Sequence, residues 1–178
     1  MAEIKGSDTR SSHVDAVVNL RRVVKVTKGG KRFSFSAFVV TGDQKGSIGF
    51  ALGKGKDVSR AIMKATHRAQ RVMFKVSLRD GTIPYPVTGK HGSSRVIIRS
   101  AYKGTGSISG GAMRQIFYVL GVKDVLAKSF GSRTRENVVK ATLNALAQLR
   151  SVEECSMLRG LSLHAMLGRE RNDDVRAQ

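Results

Sequence analysis

Acidic residues are scarce in this chain. Asp and Glu number 13 against 32 Lys and Arg, a formal net charge of +19 over 178 residues. Tryptophan is absent, aromatics reach only 6%, and Cys155 is the single cysteine. Each shortage excludes something. One cysteine allows no intrachain disulfide and no cysteine metal cluster, which suits a reducing compartment. His13, His67, His91 and His164 are scattered without ligand spacing, so no metal and no cofactor is expected. Few acids remain for paired acid–base chemistry, so no enzyme is expected. Sparse aromatics argue against stacking platforms for single strands and for recognition of RNA by shape and backbone. No apolar run approaches the length of a membrane span, and MAEIKGSDTR lacks an apolar signal core. The expectation is a soluble intracellular protein.

What is present is positive charge, unevenly spread. Residues 1–78 carry 16 Lys/Arg and 5 Asp/Glu, residues 79–150 carry 12 and 3, and residues 151–178 carry 4 and 5. Self-repulsion on this scale gives a lone monomer no stability, so a polyanionic partner should cancel it. Nucleic acid is the first candidate and an anionic membrane surface the second. Either should meet the first 150 residues, leaving the tail another task.

Pattern reading gives an α+β chain. Residues 1–19 read as a polar, mobile tail. LRRVVKVT, KRFSFSAFVVTGD and GSIGFALG read as three short strands with turns between them, the second with Phe33, Phe35, Ala37 and Val39 on one parity. Asp57 then suits the N-cap of a helix over 58–76, with Val58, Ala61, Ile62, Ala65, Ala69, Val72, Met73 and Val76 on its apolar face. Residues 20–78 are therefore a β-β-β-α unit. Residues 79–150 read as β-β-α-β-α: strands near 83–90 and 94–101, helix 112–120 stopped by Gly121, a strand in VKDVLAKSFG, and a helix in TRENVVKATLNALAQL. Residues 151–178 suggest two short docking helices split by Gly160.

Several stretches could carry chemistry. Arg21, Arg22, Lys25, Lys28, Lys31 and Arg32 lie within twelve residues without an acid, and Gly29-Gly30 lets backbone N–H groups approach an anion. Phosphate contact is the functional reading; the plain one is a hairpin edge guarded by lysines. GFALGKGKD falls short of a Walker loop on spacing and on the missing hydroxyl. What remains is a helix N-terminus with Lys54 and Lys56 beside it, fit for a phosphate or for simple capping. Arg60, Lys64, Arg68, Arg71 and Lys75 recur as one helical stripe without an acid. GTGSISGG misses the dinucleotide pattern because Ser109 holds the sixth position. Arg114, in the first turn of the next helix, should reach outward to a partner.

In combination, RVVKVTKGGKRFSF, GSIGFALGKGKDV, TGKHGSSRV, KGTGSISGGAMR, GVKDVLAKSFGS and NVVKAT closely resemble the bacterial-type small-subunit ribosomal protein S-five family, from Leu20 to Leu149. The resemblance implies a fold: a β-β-β-α domain similar to double-stranded-RNA-binding domains, then a two-layer α/β sandwich. It implies a structural component that binds small-subunit rRNA near the mRNA entry channel, contacts the S-four and S-eight proteins, and influences decoding accuracy. By the same resemblance, Lys28-Gly29-Gly30-Lys31 would reach rRNA near the neck of the subunit. Gly104, Thr105, Gly106 and Arg114 would face S-four, and the C-terminal tail S-eight. No membrane is implied, and the implied location is a cytoplasmic or organellar small subunit. The chain departs from the family at Gly55, where Ala is more usual, and at Arg135-Glu136, where Asn-Pro is more usual. The last helix should therefore be capped differently.

Overall fold

A computed structural model describes residues 13–161. Its elements are β1 (Val14–Thr27), β2 (Gly30–Gly42), β3 (Ser47–Gly55), α1 (Val58–Arg71), β4 (Phe74–Lys75), β5 (Val87–His91), β6 (Ser94–Ser100), β7 (Ser107–Ile108), α2 (Gly111–Leu120), β8 (Val125–Gly131), α3 (Arg135–Leu146) and α4 (Val152–Arg159). They build two four-stranded sheets, ordered β1-β2-β3-β4 and β5-β6-β8-β7. The class is α+β, with the β-β-β-α unit preceding the helix-covered second sheet.

Where β2 and β3 meet, the first sheet buries both faces. Ala37 and Val39 on β2 pack with Ala61 and Ala65 of α1. Phe38 and Val40, one position on, point the other way and join Ile48 in a core shared with Met113, Ile116 and Phe117 of α2. Alternation along one strand thus serves two different helices. Helix α2 consequently buries Met113, Ile116, Phe117, Val119 and Leu120 and keeps a stripe through Gly111, Arg114 and Tyr118 exposed. Small residues set the α1 spacing: a Cβ at Gly53 would stand 2.2 Å from the Ala61 carbonyl, and one at Gly49 would stand 2.1 Å from that of Ala69. The second sheet repeats the device, because a Cβ at Gly89 would meet the Ala141 carbonyl of α3 at 2.1 Å.

The two units also exchange hydrogen bonds. The β2–β3 turn donates Gln44 N–H to the Val119 carbonyl and Gly46 N–H to that of Leu120, satisfying the last turn of α2. Gln115 and Arg135 donate to the Val17 and Val18 carbonyls of β1.

Four expectations need correction. The first strand starts at Val14, within the stretch expected as a tail; residues 1–12 lie outside the described residues. A bulge between Val17 and Asn19 shifts the parity of β1 and hides its alternation. Helix α1 ends at Arg71: Val72 is exposed, and Phe74-Lys75 pairs with Ser47-Ile48 as β4. Lys75 therefore leaves the helical stripe. The strand expected at 83–90 occupies Val87–His91, since Pro84 and Pro86 lack the N–H groups a ladder needs. Asp57 holds the N-cap position of α1 without capping through its side chain, which pairs instead with Arg60 at 3.4 Å. Of the two tail helices, α4 ends at Gly160 in a left-handed conformation, and the other lies outside the described residues.

Candidate nucleic-acid interface

The β1–β2 hairpin is longer than the sheet it belongs to. β3 pairs with β2 only over Phe35–Gly42, so Val23–Thr27 and Gly30–Ser34 continue as a two-stranded ribbon. Five paired residues at about 3.4 Å each extend it roughly 17 Å past the third strand. Lys28 and Gly29 form its turn, tied by the Thr27 hydroxyl donating to the Gly30 carbonyl at 3.0 Å. Gly30 carries a positive φ of 126°, which favours glycine. Among the described residues, none beyond the chain neighbours approaches the Cβ positions of Gly29 or Gly30 within 4 Å.

Register sorts the cations. Arg21 pairs with Ser36, Ser36 with Lys54, and Lys25 with Arg32. Arg21, Lys25, Arg32 and Lys54 therefore share the sheet face turned away from α1. The two-residue turn sets this register, because counting back from Thr27 opposite Gly30 brings Lys25 to Arg32 and Arg21 to Ser36. Arg22 and Lys31 lie on the opposite face, where the Arg22 guanidinium stands 3.8 Å above the Phe33 ring. That contact covers one side of an exposed phenylalanine. Lys28 sits at the tip between both faces.

The expected helix-terminal group divides as well. Lys54 faces away from α1, while Arg60 and Lys64 ride on its exposed side and Lys56 lies in the connection. Arg68 donates to the Leu52 carbonyl at 3.2 Å, closing part of the free edge of β3. A Cβ at Gly55 would stand 2.8 Å from the Ala61 nitrogen, so the glycine admits a close seat for the start of α1. Among the described residues, the candidate cations with an acidic partner are Arg21, 3.8 Å from Glu136, and Arg60.

Gly104, Thr105 and Gly106 form a loop outside the ribbon. Their geometry depends on a residue the sequence reading passed over. Buried Asp124 accepts the N–H of Gly104 at 3.0 Å and of Gly106 at 2.8 Å through one oxygen. The Gly104 and Gly106 amides thus turn inward, and the Gly106 carbonyl accepts the Val125 N–H at 3.2 Å. Arg114 is exposed nearby, its guanidinium 3.5 Å from the Ser109 carbonyl. An acid two residues after a Gly-Val turn, facing a glycine-rich loop, was the signal available for Asp124.

No group of three or more His, Cys, Asp or Glu able to hold a metal occurs among the described residues. No described helix is long and apolar enough to cross a membrane.

Comparison with known proteins agrees with the architecture. The model of the ribosomal protein S5 N-terminal domain matches residues 14–77, and that of the ribosomal protein S5 C-terminal domain matches residues 89–159. The chain is 48% identical over 165 residues to the small ribosomal subunit protein uS5 of Methylorubrum extorquens, covering 92% of this chain and 86% of the relative. It is 47% identical over 171 residues to that of Azorhizobium caulinodans, covering 96% and 92%. With Lawsonia intracellularis the identity is 49% over 152 residues, covering 85% and 93%. Two matched domains and near-half identity over most of the chain show that it belongs to the ribosomal protein S5 family, structural and non-enzymatic constituents of the small ribosomal subunit in the cytoplasm.

Proposed function

We propose that this protein binds small-subunit rRNA chiefly through the β1–β2 ribbon and braces neighbouring ribosomal proteins through its second unit. The observation that carries the reading is the acid-poor cationic array on and beside the ribbon: Lys25 opposite Arg32, Arg21 in line with Lys54, and Lys28 at the tip. Such an array suits a phosphate backbone, whose condensed counterions are released as each phosphate is neutralised. Arg22, Lys31, Lys56, Arg60 and Lys64 would extend the contact around the other face. Gly29 and Gly30 keep the tip slim enough to enter a narrow rRNA junction.

The loop Gly104-Thr105-Gly106, with Arg114, would face the S-four protein near the mRNA entry channel. The tail from residue 151 would face S-eight. Stiffness of that loop supports a role in decoding accuracy, since an interface that must keep its geometry benefits from a loop fixed from within.

Co-sedimentation with small subunits tests the reading. The wild-type protein should travel with them at physiological salt. Lys28→Ala with Lys31→Ala should weaken rRNA association and lower the slope of log affinity against log salt by about 1.8, near 0.9 for each lost phosphate contact. A protein that stays at the top of the gradient would overturn the assignment, and an unchanged slope would remove the ribbon tip from it.

A further inference from the structure

Helices α2 and α3 cover one side of the second sheet, and its other side is open among the described residues. Strand register lays three rows across that open side. Lys90, Arg95 and Phe130 form the first, Thr88, Ile97 and Lys128 the second, and Arg99, Leu126 and Ile108 the third. Four cations and no acid stand there among four apolar side chains. Phe130, Ile108 and Leu126 are exposed, and a shallow depression of about 370 Å³ lies over them beside Arg99 and Lys128.

A monomer gains nothing from this arrangement. Exposed apolar groups in contact mark a binding surface, and like charges on neighbouring strands repel. The placement of the charges discriminates between partners. At a protein–protein interface lysine is depleted although arginine is not, and cations there are matched by acids across the contact. Here Arg95, Arg99 and Lys128 occupy the middle strands β6 and β8, interleaved with Ile97, Leu126 and Phe130. A partner that presents anionic groups and flat apolar faces together is RNA with an unpaired base. Phosphates would meet the cations, and one base would stack on Phe130 with Arg95 beside it.

We propose that the open face of the second sheet is a second RNA-contacting surface, separate from the ribbon, that takes an unpaired RNA segment. The proposal rests on the reading of rRNA as the partner. It adds a site and a ligand class: unstacked strand here, backbone shape at the ribbon. One aromatic side chain provides for one stacked base, in keeping with the low aromatic content.

The full-length protein and a short single-stranded RNA carrying thiouridine test it. Photo-crosslinks should fall on β8 around Phe130. Phe130→Leu should weaken binding about five- to a hundredfold with the salt slope unchanged. Arg95→Gln with Lys128→Gln should lower that slope by about 1.4. If Lys28→Ala with Lys31→Ala weakens RNA binding and the face variants do not, this proposal fails alone. If neither set weakens it, the rRNA reading fails with it. In assembled subunits, a photoreactive phenylalanine analogue at position 130 should crosslink to RNA; an adduct with protein, or none, overturns the proposal.

Discussion

Asp124 holds Gly106 from behind, its Oδ1 accepting the Gly106 N–H at 2.8 Å while also accepting that of Gly104 at 3.0 Å. Both glycines have positive φ, 94° and 77°, so the loop adopts a shape that other residues resist. The bend at Asp124, just before β8, is anchored in turn, with the Thr82 hydroxyl donating to the Asp124 carbonyl at 2.6 Å. The carboxylate therefore fixes a conformation that the glycine-rich sequence alone would leave open.

Asp124→Ala should cost about 2 kcal/mol, because two hydrogen bonds to a buried charged acceptor disappear. Asp124→Asn keeps an acceptor and should cost less. Amide hydrogen exchange of Gly104 and Gly106 reads the effect directly. Both should exchange faster in the alanine variant and stay near wild type in the asparagine variant. Equal protection in all three proteins would show that the loop holds its shape without the carboxylate.

The glycines of β3 make the opposite case, where space rather than backbone freedom matters. Gly53→Ala would drive a Cβ to 2.2 Å from the Ala61 carbonyl and 2.6 Å from the Ala65 nitrogen. Both are helix backbone, so α1 must lift off the sheet. Chemical denaturation should register a loss of about 3 kcal/mol, at the upper end for overpacking. Gly29→Ala, with no described residue beyond its chain neighbours within 4 Å of the added Cβ, should stay within about 0.5 kcal/mol of wild type.

Much of this was legible beforehand, for reasons that differ by element. Phe33 to Val39 alternate cleanly, and Gly49, Ala51 and Gly53 alternate with large residues because each side of the sheet takes a different helix. That pattern is local, so it could be read. The start of β1 could not, because the bulge at Val18 breaks the parity on which such reading depends. The end of α1 was missed because Val72, Met73 and Val76 continue the helical spacing, while pairing of Phe74-Lys75 with β3 overrides it. At the candidate site, the cationic cluster was visible as composition. Its division between two faces follows from register. Asp124 was missed despite the Gly-Val turn before it, because its partners lie 18 and 20 residues away.

Arg135 and Glu136, at the start of α3, both reach back to β1. Arg135 donates to the Val18 carbonyl at 3.2 Å in the bulge, and Glu136 stands 3.8 Å from Arg21. Arg135→Ala should cost about 1 kcal/mol by leaving that carbonyl without its donor. Glu136→Gln should change stability little, since the pair is partly exposed. It should instead strengthen RNA binding, because Arg21 loses its competing acid. A titration against an RNA duplex at several salt concentrations measures this, with the slope expected to steepen by up to about 0.9. Unchanged affinity would show that Arg21 stands outside the contacted surface.

Acid sensitivity should trace in part to Asp43 in the β2–β3 turn. Burial pushes its carboxyl pKa up, but hydrogen bonds from the backbone N–H of Lys45 and Ser47 and from the Ser47 side chain outweigh that and hold it below the ordinary value. A lowered folded-state value means that the ionised form stabilises the fold. That contribution is complete above the unfolded value of about 3.9 and is lost as pH falls through the folded one. Asp43→Asn retains an acceptor without the charge, so its stability should lack this acid limb. Denaturation of both proteins at neutral pH and below pH 4 gives the comparison. The wild-type advantage should be present at neutral pH and shrink in acid. An advantage that stays constant across that window would mean that Asp43 acts through its shape rather than its charge. The same turn donates Gln44 and Gly46 N–H groups to the end of α2, so loosening it should also weaken the join between the two units.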